Sequence, residues 1–244
     1  MTEALRIVDV DRVDCRLVTH HWEFARARAA DIDRHWAERR RENPSLYDGP
    51  VLLACRAELV TQEGARTLLL DAFETRFSRF LAWRDFGWPD ESVYNCFSMP
   101  AVRSSDGAYL VGEMGADHSC AGQLYFPGGT PDPSDVTEEG AVDLTGSLIR
   151  ELAEETGLPG GEGVAAPGWT IVFDRQRVAC LKRIDWPASA AALAARARRF
   201  LAAEDRPELA DVHMVSGGEF LDDSRLPAFM VGFLSRAFGL AERG

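Results

Sequence analysis

Asp143 to Gly157 reads as a helix with both ends marked, and no other stretch restricts the fold as tightly. Asp143 stands where an N-cap belongs, with a carboxylate able to accept from the free N–H groups of the first turn. Gly157 stands where a chain leaves a helix through a left-handed residue. Leu148, Ile149, Leu152 and Ala153 share one arc of the expected helix Leu144 to Thr156, a side that must pack on an apolar surface. Glu151, Glu154 and Glu155 fall on the neighbouring arc, because positions three and four apart stack. Carboxylates so close repel one another, and the dipole at a helix C-terminus opposes them too. Either water or a cation has to offset both effects.

The flanking segments say what the apolar arc packs on. Cys96 to Arg103, Tyr109 to Glu113, Gln123 to Phe126, Trp169 to Phe173, Arg177 to Ile184 and Asp211 to Val215 read as strands. Ala188 to Ala203 and Pro227 to Leu240 read as further helices, Thr130 to Val142 and Pro159 to Pro167 as loops. Upstream, His21 to Arg41 has a helical spacing stopped by Asn43-Pro44, and Val51 to Val60 with Arg66 to Phe73 reads as a hairpin turning at Gln62-Glu63-Gly64. A short helix around Phe77 to Trp83 ends at Gly87-Trp88-Pro89-Asp90, the best candidate boundary inside the chain. Strands outnumber helices, but the helices are long, so the class is α+β. The expected division is an N-terminal extension of helix and β-hairpin over 1–92 and a main domain over 93–244.

Composition narrows the function. The formal net charge is −12, with 39 acids against 27 bases, the wrong field for a protein that grips nucleic acid through its phosphates. An acidic chain can still take a small phosphorylated ligand where bound cations reverse the local field. Five scattered cysteines without C-x-x-C spacing give neither a disulfide framework nor a zinc ribbon, and fit reduced thiols in a cytoplasmic protein. Met1 to Arg12 is too polar for a signal peptide, and no stretch is long and apolar enough for a membrane span.

Hard divalent ions prefer carboxylate oxygens, and Mg²⁺ in particular takes one or two carboxylates together with substrate phosphates and water. The Glu151, Glu154 and Glu155 face is a candidate for such an ion. Arg150 can anchor a glutamate or a phosphate with its fork of donors, and Gly128-Gly129, after a strand, brings bare backbone close. An ordinary exposed acidic helix end is the plainer reading of the three glutamates alone.

The nine residues Arg150-Glu151-Leu152-Ala153-Glu154-Glu155-Thr156-Gly157-Leu158 resemble the distal half of the Nudix box, R-E-U-x-E-E-x-G-U, at every fixed position. A strand and Pro127-Gly128-Gly129 precede them, as in that family. The resemblance implies a Nudix-like α/β/α sandwich with a mixed sheet. It also implies Mg²⁺- or Mn²⁺-dependent hydrolysis of a nucleoside diphosphate linked to another moiety, such as a nucleotide-sugar or dinucleotide. Carried over, Glu151, Glu154 and Glu155 are metal ligands with the Gly129 carbonyl, and Arg150 orients the glutamates. Two features depart from the pattern. The family places thirteen residues between the second glycine and the arginine, where Thr130 to Ile149 adds seven more. The family's first glutamate, eight residues before the arginine, falls on Val142, with Glu138, Glu139 and Asp143 near but out of register. A second reading therefore stays open: a catalytically impaired Nudix-like fold that senses a nucleotide. The segments Ser45 to Pro50 and Phe77 to Asp85 faintly resemble UDP-sugar diphosphatase-like members.

Other residues are weighed singly. Glu204, Asp205 and Glu208, in the polar link before the last strand, are candidates for a general base or substrate contact, since catalytic groups favour loops on a rigid scaffold. His118 lies shortly before the glycine pair and is a candidate substrate contact. Trp83, Phe86 and Trp88 can stack on a base, though core packing is the commoner use of such rings. His20-His21 lacks ligand spacing, and the Arg-rich helix reads as a solvated face. The expected partner is a small phosphorylated substrate, without nucleic acid or membrane, and homodimerisation through the extension is a further possibility.

Overall fold

The structure is a computed structural model describing residues 5–240. Met1 to Ala4, the start of the segment read as too polar for a leader, lie outside the described residues. The N-terminal part runs β1 (Arg6–Val10), β2 (Arg12–Leu17), α1 (Glu23–Ala27), α2 (Ala29–Glu42), β3 (Pro50–Gln62), β4 (Ala65–Arg76) and α3 (Phe77–Asp85). α2 stops where Pro44 forces Asn43 into an extended conformation. The β3–β4 hairpin turns through Glu63 and Gly64, at φ 51° and 80°, the left-handed pair that matches strand twist in a two-residue turn.

The remainder runs β5 (Asn95–Arg103), β6 (Tyr109–Met114), β7 (Leu124–Tyr125), α4 (Leu144–Thr156), β8 (Val164–Ala165), β9 (Trp169–Asp174), β10 (Arg177–Asp185), α5 (Ala190–Leu201), β11 (Leu209–Val215) and α6 (Ala228–Ala237). An eight-stranded sheet has the order β1-β9-β10-β5-β6-β11, with β7 beside β6 and β8 beside β10. Only β10 and β5 pair in parallel, Cys180 facing Ser98, so the sheet is mixed. The expected Pro159–Pro167 loop is partly a strand: Ala165 of β8 pairs with Ile184.

Strand alternation sorts the two faces. Val178, Cys180 and Ile184 point into a core shared with Leu148 and Leu152 of α4 and with Leu193, Ala197 and Leu201 of α5. Ala179 and Leu181 point the other way, against Phe229, Met230, Phe233 and Leu234 of α6. The molecule is thus a mixed sheet between helical layers, the expected sandwich. Leu148 and Leu152 are fully buried, and each such leucine is worth roughly 1.5–3 kcal/mol.

Residues on both sides of position 92 share a core. β1 pairs antiparallel with β9, Val8 facing Ile171, so the first described strand is an edge of the main sheet. β2, β4 and β3 form a separate three-stranded sheet. One side of it, with Leu52, Leu68 and Leu70, joins the α4 core. Its other side, with Leu53 and Phe73, packs on Trp22, Phe80, Trp83 and Trp88. Trp83 and Trp88 are therefore core, edge to face at 4.4 Å. No helix among the described residues is long and apolar enough to cross a membrane.

Candidate active site

α4 forms over the expected Leu144 to Thr156. Asp143 caps it by accepting from the Gly146 N–H at 2.8 Å, and Gly157 closes it at φ 66°. Its polar arc is organised by Arg150. One guanidinium nitrogen, Nη1, donates to Glu151 Oε1 at 2.7 Å and to Glu154 Oε2 at 3.2 Å. The other, Nη2, donates to Asp135 Oδ1 at 2.9 Å.

Asp135 is the acidic partner that sequence reasoning missed. Counting back from Arg150 leads to Val142, which is buried in the core; counting forward from Gly129 at the family spacing leads to Asp135. The seven extra residues lie between the two. They fold back on themselves: Val136 bridges Val142, and the Thr137 N–H donates to Ala141 O at 2.8 Å. The tip of this excursion lies along β2, where Leu17 N–H donates to Gly140 O and Val142 N–H to Cys15 O. The insertion therefore leaves Asp135 beside α4 and joins the helix to the small sheet. Asp135 is buried; its Oδ2 accepts from the Ser147 hydroxyl and the Asp132 N–H, both at 3.1 Å.

Glu155 turns to the other side of α4. It is 4% exposed and its Oε1 accepts from the Gly128 N–H at 2.7 Å. Burial, and after it the neighbouring Glu208, push its carboxyl well above the ordinary glutamate range. Gly128 must be glycine: its φ is +131°, and a Cβ there would sit 2.5 Å from the Ser98 carbonyl oxygen. Gly129 next to it bridges Ser98 of β5, so the glycine pair is held between β5 and the end of α4. Glu151 is also raised, first by burial and then by Glu154 and Glu208 against the opposing charge of Arg150.

Of the loop candidates, Glu208 and His118 come together. His118 Nε2 lies 3.5 Å from Glu208 Oε1, and the Gly115 N–H donates to the Glu208 carbonyl at 2.8 Å, strapping the His118 loop to the start of β11. The negative charge of Glu208 also raises both Glu151 and Glu155. Glu204 does not join them; it lies exposed in the turn after α5 without a side-chain partner among the described residues. Arg84 of α3, unmarked by any sequence pattern, reaches Ser119 Oγ at 3.5 Å and Cys120 Sγ at 3.6 Å. Burial raises the Cys120 thiol, but the His118 hydrogen bond and the Arg84 charge outweigh it and bring it down to about 7.

Among the described residues, no three His, Cys, Asp or Glu side chains are already drawn together as a metal cage. Arg150 stands between Glu151 and Glu154, and Glu155 faces Gly128. The chemistry of the set nonetheless fits a hard divalent cation: every donor is a carboxylate oxygen, and two of the acids resist ionisation where they stand, a penalty that a cation relieves.

No family model matches the chain, and no curated protein does. Solved structures that match include the MutT protein from Methanosarcina mazei, 20% identical with a TM-score of 0.39 over 59% of this chain and 92% of that one. RenU, a Nudix hydrolase from M. smegmatis, matches at 15% identity and 0.38, over 61% and 88%. A Nudix hydrolase from Nitrosomonas europaea matches at 16% and 0.38, over 60% and 88%. These likenesses are distant, and the chemistry of the site is read from this chain's own residues. The chain carries the distal Nudix-box pattern on α4, and Nudix hydrolases are among the solved structures similar to it.

Proposed function

We propose that the chain is a Nudix-type diphosphohydrolase that cleaves a phosphoanhydride bond in a nucleoside diphosphate linked to a further moiety, using Mg²⁺ or Mn²⁺. The reading rests on the Arg150 fork, which gathers Glu151, Glu154 and the buried Asp135 at 2.7, 3.2 and 2.9 Å. An ordinary solvated acidic helix end needs no buried aspartate behind it. Glu151, Glu154 and Glu155 would hold the cation, with the Gly129 carbonyl beside them. When bound, the ion supplies Lewis-acid stabilisation of charge developing on the phosphate oxygens.

The remaining work falls to the chain's own groups. Asp135 fixes Arg150, and Arg150 fixes the directions of Glu151 and Glu154, so that the acids are oriented before substrate arrives. Glu155 ties the glycine loop to α4 through the Gly128 N–H. Glu208, whose charge acts on Glu151 and Glu155, is placed to accept a proton from the attacking water, and His118 to orient Glu208 or contact a phosphate. The catalytic unit comprises 93–244 with β1 as its sheet edge, while the rest of 1–92 flanks it and supplies Arg84. Five free cysteines suit a reducing compartment such as the cytoplasm.

The test is turnover on a panel of nucleoside diphosphate compounds with Mg²⁺ and with Mn²⁺, comparing wild type with Glu154→Gln. Metal-dependent turnover lost in the variant supports the hydrolase and identifies the substrate class. Absence of turnover on every compound, with nucleotide binding untouched by Glu154→Gln, rejects it in favour of the sensor. That alternative draws on the insertion, but Asp135 weakens its premise by supplying the acid that Val142 lacks.

A further inference from the structure

A second concave site lies on the other face of the sheet. A cavity of about 590 Å³ between the main sheet and α6 is lined by Arg103, Arg183, Arg236, Tyr109, Trp169 and Phe233. Ser98, the partner of Gly129, is five residues before Arg103 on β5, a separation of roughly 16 Å along a strand. Arg103 alternates with Phe97, Met99 and Ala101 on the α6 side, whereas the glutamates ride on α4 across the sheet. The two sites are therefore separate.

Register places the cavity's polar groups side by side. Arg103 pairs with Tyr109 on β6 and with Asp185 on β10, so Arg183 lies one pleat away on the same face. The acids around them are largely engaged. Asp9 pairs with Arg236 and accepts from the Thr170 hydroxyl; Asp11 accepts from the Arg66 N–H at 2.7 Å; Asp185 pairs with Arg183 at 3.2 Å. Arg103 has no ion pair among the described residues. The Tyr109 ring is packed away, and its hydroxyl, which has no hydrogen bond among the described residues, opens on the cavity. Burial raises that phenol, the positive charges of Arg103 and Arg183 oppose the rise, and Asp185, paired with Arg183, adds to it. In a chain of net charge −12, a cavity with an unpaired arginine and an unpartnered hydroxyl on its wall is suited to take negative charge.

We propose that this cavity is a second ligand site, which holds a small polyanion, phosphate- or carboxylate-bearing, through Arg103, Arg183 and the Tyr109 hydroxyl. The guanidinium forks match the planar oxygen pairs of either group, and the Phe233 ring supplies apolar wall for the rest of the molecule. The site is independent of the hydrolase reading, because it uses none of that site's residues.

The experiment is calorimetric titration of the full chain with inorganic pyrophosphate and, separately, with citrate, in EDTA at physiological ionic strength. Saturable binding of at least one probe is expected, weakened about tenfold or more in Arg103→Gln and in Arg183→Gln and unchanged in Glu154→Gln. Tyr109→Phe, which keeps the ring, is expected to weaken binding by a smaller factor. Pyrophosphate alone, citrate alone, or both identifies the anion class. Absence of saturable binding of both probes to the wild type overturns the proposal. So does binding that survives both arginine substitutions, or that is lost in Glu154→Gln. Thermal melts of the ligand-free variants check that each remains folded.

Discussion

Arg150 Nη2 donates to Asp135 Oδ1 at 2.9 Å across fifteen residues of sequence, and it does so although the chain between them carries seven residues more than the Nudix spacing. The contact joins a half-buried cation, 38% open to solvent, to a carboxylate that is 4% open. A buried acid of this kind is held by its partners: Arg150, Ser147 and the Asp132 N–H use both of its oxygens.

Asp135→Asn keeps the shape and removes the charge. With Arg150 released, Glu151 and Glu154 lose their common anchor, and kcat is expected to fall about 10–100-fold, as it does when outer supports of a metal site are removed. KM is expected to change much less, because Asp135 acts through Arg150 and has no place against substrate. Steady-state kinetics at saturating Mn²⁺ measures the split. An unchanged kcat would show that Arg150 is oriented without Asp135.

Glu155 makes metal-free stability depend on pH in a definite direction. Its folded carboxyl titrates above the unfolded value of 4.5, so the folded state binds the proton more tightly. The stability this provides is complete below pH 4.5 and is lost as pH rises through the folded value. In EDTA, the melting temperature of the wild type should therefore fall on going upward from pH 4.5 by more than that of Glu155→Gln, which has no proton to lose. Mn²⁺ should reduce the wild type's extra fall, because a cation stabilises the ionised Glu155. Parallel melting curves for the two proteins across pH in EDTA would rule this out.

What was legible in the sequence was local. The bounds of α4 followed from Asp143, the 3.6-residue period and Gly157; the β3–β4 turn followed from Glu63-Gly64. Asp135 was hidden because the insertion breaks the count from one end only, and residue spacing carries no record of where a loop folds back. β1 has no partner visible in the sequence, because β9 lies over 150 positions away, beyond any periodic signal. Sequence marks His118 only by its place shortly before the glycine pair and Glu208 only by its polar link; their 3.5 Å approach depends on β6 pairing with β11. Arg84 had no signal at all, since an arginine in a short helix reads as solvated until the 114–122 loop is seen to cover it.

Gly128 has no room for a side chain. A Cβ would stand 2.5 Å from the Ser98 carbonyl oxygen and 3.1 Å from Met99 Cα, at a φ of +131°. Gly128→Ala must move β5 or the loop, at a cost of about 2–4 kcal/mol. Either movement draws the Gly128 N–H away from Glu155, so activity should fall further than the loss of folded protein explains. Gly129→Ala, where a Cβ meets nothing within 4 Å, should cost much less stability. Urea unfolding of the two variants tests the contrast, and equal losses would contradict it.

Cys120 should be the reactive thiol of this chain. Cys15, Cys96 and Cys180 are buried and raised, to about 12 for Cys15 and well above the ordinary range for Cys96. Cys120 sits at about 7 because the His118 hydrogen bond and the Arg84 guanidinium favour its thiolate over the opposing effect of burial. Since the thiolate is the nucleophile, the rate of alkylation by iodoacetamide at Cys120 should rise with pH to half its plateau near pH 7. Cys15, Cys96 and Cys180 should stay unlabelled until the protein unfolds, and Cys55, half-buried and raised by burial and then by Asp71, should label more slowly than Cys120. Arg84→Gln removes one of the two favourable contributions and should move that midpoint upward, with labelling at neutral pH slowed accordingly. Peptide-resolved mass spectrometry over a pH series reads the midpoint directly, and a midpoint at or above the ordinary thiol value of 9.0 would mean that Arg84 and His118 do not hold the positions described here.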